Sequence, residues 1–147
     1  MNMRFDNFDL TTPYGGIEIR GLGHNWDLHN FAHFQGFSFN PARDEVTMEW
    51  HARSGQENPW GSRGNSARGC RLRFSGVLFL RATSRDRAYP LEESRTVTAL
   101  SKATPEQGAY RFKEDWGPDE PFHLIIEFQD EREIEIGANV VRLEAIV

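Results

Sequence analysis

Four residues within a stretch of ten, His24, Asp27, His29 and His33, have side chains that could do chemistry. Two imidazoles and a carboxylate can hold iron(II) or zinc and leave positions open for a reactant. His29 and His33 are four apart, so on a helix they would share a face and could ligate one metal. This set carries the alternative reading of the chain, a small metal-dependent or ligand-binding β-barrel enzyme. The spacing matches no established ligand pattern, the paired-His strand motif of cupin barrels included. In the plainer reading Asp27 caps a turn, and the histidines pack as amphipathic rings among Trp26, Phe31 and Phe34. That reading is carried forward, with no cofactor and no tightly bound metal expected.

Other catalytic classes find less support. Cys70 sits at an apolar alternating position and suits a small buried hydrophobe better than a thiolate. No serine lies in a nucleophile elbow. Gly61, Gly64 and Gly69 follow a loop rather than a strand, which excludes a phosphate loop or dinucleotide fingerprint. The acid pairs Glu92-Glu93 and Asp130-Glu131 fall in turns, where carboxylates are usually solvated.

Binding residues are better represented. Trp60 and Trp116 both sit in Gly/Pro-rich segments, and tryptophan is enriched among residues that dominate interface energies. The stretch from Ser54 to Gly69 has no periodicity and is long for a compact domain. It adds Arg63 and Arg68, whose guanidinium groups stack and make bidentate hydrogen bonds. The expectation is a binding surface of Trp60, Arg63, Arg68 and Trp116, on a loop that is mobile alone and orders on a protein partner. The rival is a Trp60 that folds back over a sheet edge.

The elements that must position these residues are strands. Phe122, Leu124, Ile126 and Phe128 occupy every second position, as do Ile134 and Ile136. Gln129, Asp130 and Glu131 suit a reversal between them, giving a hairpin with one face in the core and one in water. Val141, Leu143 and Ala145 offer a third strand. Phe37 and Phe39, a turn at 40–44, and Val46, Met48 and Trp50 make a second hairpin. Residues 24–34 suit either one or two helical turns or an irregular lead into a strand. Cys70, Leu72 and Phe74 alternate up to Gly76, and a continuous apolar run, 77–80, follows. This predicts a bulge or bend at the glycine and burial on both faces beyond it. Thr104, Pro105 and Glu106 suggest a helical turn stopped by Gly108. At 147 residues the chain suits one domain spanning 1–147. The fold class is all-β: an antiparallel β-sandwich, with a jelly-roll-like or barrel alternative and at most one or two short helical turns. The predicted core is Phe74, Val77, Phe79, Leu124, Ile126, Phe128, Ile134, Ile136 and Leu143.

Charge bounds the partners. The net charge of −5 argues against general nucleic-acid affinity. Residues 61–87 nonetheless hold Arg63, Arg68, Arg71, Arg73, Arg81, Arg85 and Arg87 against Asp86 alone, while 114–147 are strongly acidic. Paired strands would let these segments neutralise each other. No apolar run reaches signal-peptide or membrane-span length, so a soluble cytoplasmic protein is expected, with a protein partner or a homo-oligomer and no membrane. Three stretches carry a family likeness: Pro59-Trp60 before a polar loop, the run from Leu72 to Val77, and the alternating strand His123–Phe128. In these, and in strand spacing over 22–145, the chain resembles small bacterial β-rich domains of unknown function, some associated with polymorphic-toxin immunity proteins. The resemblance implies a binding protein without catalysis.

Overall fold

The computed structural model describes residues 3–55, 58–106, 109–112, 115–117 and 120–147. Its longest strands are β7 (Gly69–Ala82) and β11 (Glu133–Ile146), which pair antiparallel over nearly their full lengths. β6 (Glu45–Ala52) and β5 (Ala32–Asn40) extend the sheet on the β7 side. On the β11 side it continues through β10 (His123–Phe128), β8 (Val97–Glu106) and β9 (Ala109–Arg111). β1 (Arg4–Phe5) joins β11 in parallel beyond the end of β10. The Asn7 amide extends that pairing by bonding both Leu143 O (2.8 Å) and Leu143 N (2.7 Å). A second, three-stranded sheet holds β2 (Phe8–Leu10), β3 (Glu18–Gly21) and β4 (His24–Asp27). The protein is all-β, with a curled antiparallel sheet and a small sheet against it.

One cluster of buried side chains draws on both sheets: Ile19, Trp26 and Leu28 meet Trp50, Leu72, Phe74, Ile126 and Leu143. The two hairpins form as the alternation predicts, with Leu124 opposite Ile136, Ile126 opposite Ile134, and Met48 opposite Phe37. Five expectations need correction. Val141, Leu143 and Ala145 do not start a new strand; β11 runs unbroken from Glu133, because β7 supplies a partner along its length. The β10 strand buries both faces, with His123 and Ile125 as enclosed as Leu124 and Ile126. Gly76 does take a left-handed φ of 65°, and the register shifts nearby at Gly137/Ala138. The residues after it are not buried on both faces, since Leu78 is 57% exposed and Val77 and Phe79 only half-buried. Thr104, Pro105 and Glu106 continue β8 instead of forming a helical turn; the expected stop at Gly108 lies outside the described residues. The helix that does form, α1 (Leu91–Ser94), lies in the stretch expected to be a plain connection. Pro90 precedes it, and Glu92 and Glu93 in its first turn favour the positive end of its backbone dipoles.

The charged segments meet as paired strands should. Arg73 contacts Glu45 (2.6 Å) and Glu144 (3.0 Å), Arg71 contacts Glu49 (2.6 Å), and Arg81 contacts Glu135 (2.9 Å). Hydrogen bonding to Arg71 holds the Glu49 carboxyl below its ordinary range.

The curl brings the two ends of the large sheet together. Phe34 on β5 donates its N–H to Arg95 O (2.8 Å), just before β8 begins. Beside that junction Arg53 N bonds Phe31 O (2.9 Å) and Gln129 N bonds Thr96 O (2.9 Å). Further along β8, Leu100 N and Lys102 N bond Gly16 O and Pro13 O, which ties that edge to the lead into β3. A short seam therefore closes the sheet at Phe34–Arg95, and among the described residues no backbone bond joins β5 to β8 beyond it.

Candidate functional site

The residues singled out for metal chemistry fall on two strands and the turn between them. His24 and Asp27 lie on β4, residues 28–30 turn, and His33 lies on β5, so no helix forms to put His29 and His33 on one face. Asp27 caps the turn: Oδ1 accepts from His29 N (2.9 Å) and Asn30 N (2.7 Å), and Oδ2 from Asn30 Nδ2 (2.9 Å). The His24 ring packs edge-on to Trp26. His29 places Nδ1 2.7 Å from Val97 O; a carbonyl only accepts, so Nδ1 carries the proton. His33 faces Glu92 at 3.6 Å, and burial, with Arg53 and Arg95 adding, lowers its pKa. Among the described residues no three or more His, Cys, Asp or Glu side chains are grouped to hold a metal ion. Cys70 is fully enclosed, and burial pushes its thiol pKa well up, away from nucleophile chemistry.

The predicted binding residues also separate. Trp60 was expected in solvent and is 1% exposed. It lies in a short 3-10 turn, Pro59–Gly61, at a left-handed φ of 65°, a costly conformation for a bulky residue. What offsets that cost is enclosure: the indole packs edge-on to Trp26, ring centres 4.9 Å apart, and donates Nε1–H to Ala67 O at 2.9 Å. Trp116 stands elsewhere, edge-on to Phe122. Arg63 and Arg68 are exposed, and Arg68 Nη2 bonds Val147 O (3.2 Å).

The most site-like geometry is at the seam, where α1 separates two clefts. One, about 400 Å³, is polar, lined by His29, Asn30, Arg53, Glu92, Glu93 and Gln129 among others. The other, about 390 Å³, sets Arg85, Arg95 and Arg132 beside Phe34, Phe37 and Leu91. Among the described residues none of these three guanidinium groups has an ion pair within 4 Å, unlike Arg71, Arg73 and Arg81 on the sheet. Arg85 donates to Ser94 Oγ (3.0 Å) and Tyr89 O (3.1 Å), and Arg132 to Ser94 O (2.6 Å). Ser94 in turn donates to the buried Asp130 (2.5 Å). Asp130 is a carboxylate woven into this network; burial pulls the Arg132 pKa down, Arg85 adds to this, and Asp130 opposes it. Phe37 and Leu91 are 40% and 59% exposed. The cleft thus offers excess positive charge next to bare apolar surface. Its three arginines are far apart in sequence, and no local motif marks them.

The fifth histidine, His123, was also missed. It is 4% exposed and faces the equally buried Glu135 at 3.3 Å, with Phe79 edge-on to its ring. Burial holds its pKa below the ordinary 6.5; Glu135 opposes this and Arg81 adds to it. The unfolded chain therefore takes up a proton near pH 6.5 that the folded chain refuses. This contribution to stability is whole above pH 6.5, is lost progressively below it, and levels off once the folded ring protonates. His33 acts in the same sense, while Glu133, its pKa raised by burial, bends the profile the other way. A His123→Gln variant should therefore show a shallower fall of melting temperature between pH 7 and pH 5 than the parent. An identical slope would contradict this account.

No family model, curated protein or solved structure matches this chain. Among the described residues no helix is long and apolar enough to cross a membrane.

Proposed function

We propose that this protein is a non-enzymatic interaction domain that binds an acidic segment of a partner protein at the cleft of Arg85, Arg95 and Arg132. The observation that carries this reading is the contrast in pairing: the sheet-face arginines are neutralised by Glu45, Glu49, Glu135 and Glu144, while among the described residues the cleft arginines make no ion pair within 4 Å and lie beside exposed Phe37 and Leu91. Charge-assisted bonds to guanidinium are among the stronger polar contacts, and adjacent apolar surface adds desolvation energy. The pairing of Arg71, Arg73 and Arg81 with glutamates reduces the basic character of the segment 61–87, which supports a protein partner over nucleic acid. A cytoplasmic immunity-protein-like role, neutralising a partner by binding it, fits this chemistry.

The test uses fluorescein-labelled heptapeptides alternating Val with Glu, Ser or Lys, read by anisotropy at low salt. The Glu/Val peptide should bind best and lose affinity as salt rises. An Arg85→Glu/Arg95→Glu variant should bind it at least tenfold more weakly while still unfolding in a single cooperative transition. Equal affinity for all three peptides, or for parent and variant, would overturn the reading.

A further inference from the structure

The same cleft opens onto an unpaired strand edge. β5 is the terminal strand of the large sheet, and among the described residues its outer side is occupied only where Phe34 N–H meets Arg95 O. That bond shows that the backbone groups of Phe34 point away from β6. The ladder shifts at Gln35–Gly36, where Gly36 takes φ 125°, and then resumes with Phe37 opposite Met48 and Phe39 opposite Val46. Counting the antiparallel alternation from Phe34 across this bulge puts the N–H and C=O of Phe37 and Phe39 on the outer side too. Neither N–H has a partner there among the described residues. The side chains of Phe37 and Phe39 are 40% and 52% exposed, although Met48 and Val46 opposite them are fully buried. A shallower cleft of about 280 Å³, lined by Gln35, Gly36, Phe37, Ser38, Thr47 and Glu49, continues from the arginine cleft and shares its first three residues. Residues 32–40 contain no Lys, Arg, Asp, Glu or Pro, the usual guards of a free edge.

We infer that the partner segment binds as an added β-strand along the outer edge of β5, filling the fork beyond Phe34–Arg95, with an acidic side chain seated among Arg85, Arg95 and Arg132. This rests on the acidic-partner reading above and specifies its mode. Strand addition gives affinity through main-chain hydrogen bonds and specificity through alternate side chains. Here one set of alternate side chains would cover Phe37 and Phe39, and the acidic end would meet the guanidinium groups. The uncompensated positive charge selects an acidic strand over a second copy of this chain, whose own β5 carries no carboxylate.

The experiment compares the Glu/Val heptapeptide with a version N-methylated at alternate residues, and follows amide exchange of the 15N-labelled protein. N-methylation should weaken binding at least tenfold, and the Phe37 and Phe39 amides should become protected when the unmodified peptide binds. Phe39→Pro should retain the fold, because the lost N–H has no partner, and should weaken binding similarly. If the peptide binds and Arg85→Glu/Arg95→Glu abolishes binding, yet N-methylation has no effect and both amides stay unprotected, strand addition is wrong and the acidic-partner reading stands. If no binding occurs, both fall. A concentration-dependent dimer that Phe39→Pro abolishes and high salt does not would overturn the acidic occupant in favour of a second copy.

Discussion

Trp60→Ala should lower stability by about 3–5 kcal/mol, as truncation of a buried aromatic does, and should leave Glu/Val peptide affinity unchanged at temperatures where the variant is folded. The indole fills the space between its 3-10 turn and Trp26, and its N–H satisfies Ala67 O. Removing it opens a cavity and strands that carbonyl. It also loosens the loop that ties Arg68 N to Ile146 O (2.8 Å) and Ala52 N to Arg68 O (2.8 Å). In a domain of this size the loss corresponds to a fall in melting temperature on the order of 10 °C. A melting temperature within a degree or two of the parent would mean that the indole is not the wedge described here. Trp60→Phe keeps most of the volume and should fall between the two.

Ile125→Ala and Ile126→Ala should each destabilise by about 2–5 kcal/mol, the range for large-to-small changes in a core. Their side chains point to opposite faces of β10, and both are essentially unexposed, at 1% and 0%. Ile126 meets the main core, while Ile125 lies with Ser101, His123 and Glu135 on the other face. A hairpin with one wet face would make Ile125→Ala nearly neutral, within about half a kcal/mol. Chemical denaturation of the two variants side by side decides between these accounts.

How legible the molecule was from its sequence depended on whether a signal was local. Period-2 alternation located β5, β6, β10 and the start of β11, because a half-buried strand writes its two faces into neighbouring residues. Asp27 as a turn cap was legible for the same reason, since its partners are two and three residues on. Trp60 was not, because nothing in a Gly/Pro-rich loop says which way an indole turns; its enclosure comes from Trp26, far off in sequence. The second buried face of β10 was hidden because His123 and Glu127 look like solvent-facing residues, and only the former is buried. The arginine cleft was least legible. Arg85 sat in a basic run that seemed destined for cross-strand pairing, and Arg95 and Arg132 reach it through the β8–β10 and β7–β11 pairings, which link residues far apart in sequence.

The position of β11 has a kinetic consequence. This strand takes β7 along one side and β10, then β1, along the other, so segments near residues 5, 75 and 125 all depend on residues 133–146. Until residue 146 has left the ribosome, β7 lacks its main neighbour. Most of the pairing closes long loops, and closure entropy must be met before any contact can compensate it. Topologies of this kind reach the native state in milliseconds to seconds, well after helical proteins of equal length. During that interval β7 can pair with β6 but its β11 edge stands open, and its apolar alternation of Cys70, Leu72 and Phe74 is the part of the nascent chain that most needs shielding from neighbours.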